Sequence, residues 1–216
     1  MTEELAVKVN GVRRQLFESG PAFERSKGDF QRVALPLVET DILRQIVEQS
    51  GAKSALEIGL AYGASALSIG EALAMSSDEV HHTIIDAFQD QYSNVGWNIL
   101  CDAGLQHQST LIREMSQTAL PGLLLDGYRS AFAFVDGSHI FHNVFLDLVF
   151  VDQIVEGGGL VVLDDCQYPS VSKAARYFIL NRGWEPLDVT PIGSRLSAFR
   201  VPLSPVAATF EDFQDF

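Results

Sequence analysis

Leu56-Glu57-Ile58-Gly59-Leu60-Ala61-Tyr62-Gly63 is the stretch on which the fold turns. The run from Lys53 to Ile58 is short and apolar and reads as a buried strand, while Ala64 to Ala74 is alanine-rich and reads as a helix. Between them, Gly59 and Gly63 let the backbone turn sharply and come close to a ligand. A strand, a glycine turn and a helix form the opening unit of a doubly wound α/β sheet. In such sheets ligands bind outside the carboxyl ends of the strands.

The alternation continues outward from this unit. Thr40 to Gln49 is amphipathic, with Thr40 as its cap. Strands are expected at His82–Ile85, Thr110–Ile112, Ala131–Val135 and Leu160–Leu163, the last after three glycines. Helices are expected at Ser116–Leu125, Val144–Val155 and Val171–Leu180. Two closing strands lie around Glu185–Val189 and Leu196–Val201. Apolar strands alternating with helices indicate a mostly parallel sheet covered on both faces. Four of the expected strand ends carry acids: Glu57, Asp86, Asp136 and the pair Asp164-Asp165.

Residues 1–35 read as an N-terminal helical arm, with helical spacing at Leu5, Val9, Val12 and Leu16 and breaks at Pro21 and Gly28. Residues 36–201 form the α/β domain and residues 202–216 a tail. Phe210, Phe213 and Phe216 in the tail are spaced to share one helical face. The arm and the tail are the candidate contacts for a homo-oligomer.

The chain has 216 residues, 47% of them hydrophobic, enough for a substantial core. Its net charge of −13 repels polyanions and argues against a nucleic-acid partner. No apolar run approaches the ~18 residues of a membrane span. The acidic start Met1-Thr2-Glu3-Glu4 lacks the pattern of a signal peptide, so a cytoplasmic location is expected. Two cysteines make neither a disulfide framework nor a zinc cluster.

The glycine turn discriminates between cofactors. A dinucleotide site wants G-x-G-x-x-G, with pyrophosphate on the helix N-terminus. Here Ala61 stands at the middle glycine, and Glu57 would repel a pyrophosphate. An acid suits a ligand carrying an ammonium group and no phosphate, and S-adenosylmethionine is such a ligand.

At this point the chain resembles the class I S-adenosylmethionine-dependent methyltransferases, whose first motif E/D-x-G-x-x-x-G is matched by Glu57, Gly59 and Gly63. The resemblance implies a Rossmann-like, seven-stranded, mostly parallel sheet. It implies cofactor contacts from Glu57, Gly59, Ala61, Gly63 and Asp86, with Asp86 in Ile84-Ile85-Asp86 accepting from the ribose hydroxyls. Ser116, opening the helix after the third strand, falls where the family contacts adenine, and Asp136 lies on the same crevice.

Two further segments narrow the resemblance. Phe134-Val135-Asp136-Gly137-Ser138-His139, followed later by Gly157-Gly158-Gly159-Leu160-Val161-Val162-Leu163-Asp164-Asp165, is similar to the metal-dependent O-methyltransferases related to macrolide-sugar enzymes. The resemblance implies that Asp136, Asp164 and Asp165 hold Mg²⁺ and that His139 is the general base toward a small-molecule hydroxyl. The chemistry agrees: Mg²⁺ prefers oxygen ligands, and an imidazole takes a hydroxyl proton near neutral pH. This chain has Asp-Asp where relatives often have Glu-Asp. Two alternatives stay open: a metal-independent methyltransferase in which Asp-Asp caps a helix, and a cofactor-binding partner in a hydroxylase-type complex.

Overall fold

The computed structural model describes residues 2–76 and 79–216. Contacts divide the chain into two compact units, Met1–Met115 and Ser116–Phe216.

The first unit contains α1 (Thr2–Ser19), α2 (Asp29–Val33), α3 (Leu37–Ser50), β1 (Ser54–Ile58), α4 (Ala64–Ala74), β2 (His81–Ile85), α5 (Val95–Ala103) and β3 (Ser109–Ile112). β1 pairs with β2 and β2 with β3, both parallel. The second unit contains α6 (Ser116–Leu125), β4 (Ser130–Val135), α7 (Phe141–Ile154), β5 (Val155–Leu163), α8 (Pro169–Arg182), β6 (Glu185–Leu187) and β7 (Ser197–Arg200). β4 and β5 are parallel, whereas β7 runs antiparallel to both β5 and β6. The strand order is β3-β2-β1-β4-β5-β7-β6, the seven-stranded, mostly parallel sheet expected from the alternation.

Expected elements recur with shifted ends. α3 begins at Leu37, so Thr40 sits inside its first turn: its hydroxyl donates to the Leu37 carbonyl and accepts from Arg13. β5 starts at Val155 and runs through the three glycines instead of after them, with a register shift against β4 between Ser130 and Phe132. α5 has no counterpart among the expected helices; its entry residue Asn94 has φ 58°, so no ordinary cap marks it. The tail is not helical. Phe216 stacks on Phe145 and meets Tyr177 edge-on, while Phe210 is exposed.

α1 is built into its unit. Val9 and Leu16 are buried in one cluster with Leu60, Tyr62, Leu67 and Ile84. Arg13 on α1 is fully buried, and its charge is matched by Asp41 at 2.7 Å and Glu71 at 2.9 Å. Such a pair is costly to break, because either partner alone would be a buried charge. No helix among the described residues is long and apolar enough to cross a membrane.

Candidate active site

The glycine turn after β1 owes its shape to residues that step through the left-handed region. Gly59, Ala61 and Gly63 have φ of 97°, 44° and 85°. Alanine pays a steric cost there that glycine does not. Ala61 thus occupies, under strain, the conformation that the middle glycine of a dinucleotide fingerprint would adopt freely.

Asp86, directly after β2, holds this turn. Its Oδ2 accepts the backbone N–H groups of Leu60 (3.0 Å) and Ala61 (2.9 Å) and the Gln89 amide (2.9 Å). Its Oδ1 accepts the Phe88 N–H at 2.6 Å. A carboxylate offers about four acceptor positions, so Oδ1 retains capacity for a ligand hydroxyl. The Gln89 amide also donates to the Ala61 carbonyl at 2.9 Å. Gln89 Oε1 is buried and lacks a hydrogen-bond partner among the described residues, an acceptor that a ligand N–H would satisfy.

Two glycines make the close approach possible. A Cβ on Gly63 would lie 2.9 Å from Ile99 Cγ2 and 3.0 Å from the Gly96 carbonyl oxygen. A Cβ on Gly96, in the first turn of α5, would lie 2.4 Å from the Ala61 carbonyl oxygen. Gly96 escapes sequence reading because it sits in an unmarked helix.

Glu57 faces inward. It is fully buried, accepts from the Ser65 hydroxyl, and lies 3.0 Å from His82 Nε2. These contacts brace β1 against α4 and β2. Tyr62 is also interior: its hydroxyl donates to Asp29 at 2.5 Å and accepts the Arg25 N–H at 3.1 Å.

In the second unit, the loops after β4 and β5 bring Asp136, His139 and Asp165 together. Their ligand atoms lie within 4.8 Å of one another. His139 Nε2 stands 2.8 Å from Asp165 Oδ2, and its ring tilts against Tyr168 at 5.4 Å between centroids. The Asp165 hydrogen bond holds the imidazole pKa above its ordinary value. Burial opposes the charge on Asp165, but the His139 bond and the Arg195 charge outweigh it and keep its carboxyl below the usual range.

Asp164 does not join these three. Its two oxygens are gripped by Arg195, with Nε at 3.1 Å from Oδ1 and Nη2 at 2.5 Å from Oδ2. Burial and the neighbouring Asp165 push its pKa up. Of the expected ligand trio, Asp136 and Asp165 converge, with His139 as the third donor. Two carboxylates with remaining positions for water or substrate suit Mg²⁺, so the donors present fit a divalent ion.

Ser116 opens α6 and its hydroxyl bonds to Asp147 on α7. Burial raises the Asp147 pKa to about 6. This bond ties the start of α6 to α7 and leaves the acceptor positions of the Ser116 hydroxyl available. His142 is exposed on the first turn of α7, outside the cluster. Burial lifts the Cys166 thiol to about 11, leaving it inert.

The profile of a family described as a methyltransferase domain matches residues 56–166. Tapetum-specific methyltransferase 1 of Arabidopsis thaliana is 31% identical over 142 residues, covering 64% of this chain and 57% of that protein. The chain thus matches little more than half the length of this plant relative. The crystal structure of an O-methyltransferase from Bacillus cereus in complex with SAH superposes with a TM-score of 0.68 at 15% identity, covering 88% of this chain and 90% of that one. The O-methyltransferase TomG from Streptomyces achromogenes, involved in tomaymycin synthesis and solved with SAM, gives 0.69 at 16% identity, covering 90% and 89%. At such identities the shared property is the fold.

Proposed function

Because the chain belongs to the methyltransferase domain family, we propose that it transfers the methyl group of S-adenosylmethionine to a hydroxyl oxygen of a small molecule, with His139 as the base. The observation that carries this reading is the His139–Asp165 pair, 2.8 Å apart, with Asp136 in the same cluster. Two fold neighbours described as O-methyltransferases, one with SAH and one with SAM, support it.

The first unit supplies the cofactor end of the reaction. Asp86 fixes the turn from Leu60 to Ala61 and offers Oδ1 to a ribose hydroxyl, and glycines at 63 and 96 let α5 pack directly on the turn. S-adenosylmethionine, when bound, supplies an activated methyl group on sulfur.

The second unit supplies the acceptor end. Asp165 accepts from His139 Nε2, which leaves Nδ1 as the ring nitrogen that takes the hydroxyl proton. The oxygen gains the methyl group, His139 gains the proton, and S-adenosylhomocysteine departs. Asp165 stabilises the resulting imidazolium. Asp136 and Asp165 would hold a Mg²⁺ ion, which would acidify the hydroxyl. Ile140 and Tyr168, 57% and 48% exposed, flank His139 and favour an acceptor with an apolar or aromatic face.

The test is incubation with S-adenosylmethionine, with and without Mg²⁺, against a panel of catechols, phenols and sugars, read by mass spectrometry. The expected result is a methyl ether and an equal amount of S-adenosylhomocysteine, both lost in His139→Ala. Equal product from His139→Ala would remove the base from the mechanism.

A further inference from the structure

The antiparallel pairing of β5 with β7 sets Leu163 opposite Ser197. Residues just after Leu163 therefore meet residues just before Ser197. Asp164 and Asp165 follow the first, and Arg195 precedes the second. The sheet register thus delivers a guanidinium to the acid pair for which the family resemblance implies a metal ion.

The contact is a fork. Arg195 Nε and Nη2 take the two oxygens of Asp164, and Nη2 also lies 3.0 Å from Asp165 Oδ1. Arginine's planar donors match a carboxylate in this two-point manner, and the charge is permanent. The fork is also sheltered, with Asp164's side chain fully buried and Arg195's only 28% exposed. A sheltered pair is screened much less than a surface one. Asp136 adds its field: it joins Asp164 and Asp165 in holding the Arg195 charge, against the opposing effect of burial. All three aspartates of the expected metal site act on one side-chain cation.

We propose that Arg195 is a built-in cation that competes with a divalent ion for this site, holding Asp164 out of the ligand set and sharing Asp165. The inference rests on the reading of Asp136 and Asp165 as ion-binding. It goes beyond that reading in making the chain's metal affinity, and hence any metal requirement, a property set by a residue on the β6–β7 loop. Before a divalent ion can engage Asp164, the fork must open. Asp165 must give up one of its contacts as well. Both steps weaken metal binding compared with a site of three unpaired aspartates.

The experiment is a Mn²⁺ titration followed by electron paramagnetic resonance of free Mn²⁺, on the full chain and without acceptor or turnover. Wild type is compared with Arg195→Met, Arg195→Lys and the double variant Arg195→Met/Asp136→Asn, with a melting curve for each. Removing a unit charge within a few ångströms of the ion tightens binding, so Arg195→Met is expected to bind Mn²⁺ at least ~10-fold more tightly than wild type. Arg195→Lys, which keeps the charge but loses the fork, is expected in between. The gain is expected to vanish when Asp136→Asn is added. Unchanged or weaker Mn²⁺ binding by a folded Arg195→Met overturns the competition. If Arg195→Met does not fold, Arg195→Lys decides alone: affinity no greater than wild type overturns the proposal. A gain that survives Asp136→Asn places the ion elsewhere and also overturns it. If no variant binds Mn²⁺ at all, the ion-binding reading itself fails, a result distinct from unchanged affinity.

Discussion

The candidate residues of the first unit and those of the second are held by different forces. In the first unit, the turn from Gly59 to Gly63 is shaped by backbone: left-handed residues, N–H groups pointing at Asp86, and glycines that allow contact. In the second, Asp136, His139, Asp164 and Asp165 are arranged by charge, and Arg195 settles which carboxylate pairs with what. A backbone-defined site leaves its mark in local sequence. A charge-defined site can be completed by a residue far along the chain, here 31 positions from Asp164.

This contrast predicts that the halves separate under mutation. His139→Ala is expected to lower turnover by roughly 10²–10⁴-fold, as for loss of a general base, while affinity for S-adenosylhomocysteine measured by calorimetry stays at the wild-type value. A parallel loss of cofactor affinity would break the division of labour.

Asp86→Ala strikes the other half. It strands the N–H groups of Leu60, Ala61 and Phe88 and the amide of Gln89. Each buried donor left unpaired costs about 1–3 kcal/mol. The expectation is loss of measurable cofactor binding and a marked drop in melting temperature. Retained affinity would mean that the turn is held by something else.

Gly63→Ala is milder. The φ of 85° and the 2.9 Å approach to Ile99 strain any side chain there. The left-handed conformation alone costs an alanine about 1–2 kcal/mol, so denaturant melts should show at least that loss and weaker cofactor binding. Ala61→Gly, relieving φ 44° in the same turn, should shift stability the opposite way.

The smallest effect concerns Asp147. Its pKa is raised to about 6 from 3.8, so the folded chain binds this proton more tightly than the unfolded one. The penalty for its charge is full above about pH 6 and fades as pH falls toward 4. Asp147→Asn should stabilise the protein by on the order of 1 kcal/mol at pH 7–8, and the difference from wild type should shrink in melts at pH 5. A gain that is constant with pH would point to packing instead of charge.

Much of this architecture is legible in the chain's local patterns. The strand–turn–helix around Gly59 and the acids at 86, 136 and 164–165 emerge from short-range signals, because each residue's place at a strand end is fixed by its immediate neighbours. α4 and α6 fall at their expected ends. What escapes such a reading has physical causes. α5 begins from a left-handed asparagine and carries no cap signal. β5 extends through glycines that its register with β4 skips, because Gly158 and Gly159 bond instead to Val201 beyond β7. The tail's ring spacing matches a helix, yet Phe216 gains more by stacking on Phe145. Glu57 reads as an acid at a strand end, but its partner His82 is a neighbour only through β1–β2 pairing and is not visible locally. Arg195 reaches its aspartates only once β7 has folded against β5.

In the proposed function, the turn governed by Asp86 holds S-adenosylmethionine. Calorimetric titration with S-adenosylhomocysteine tests it most directly. One-to-one binding is expected for wild type and for His139→Ala, and none for Asp86→Ala. Absence of binding to the wild-type chain, or undiminished binding to Asp86→Ala, would contradict it.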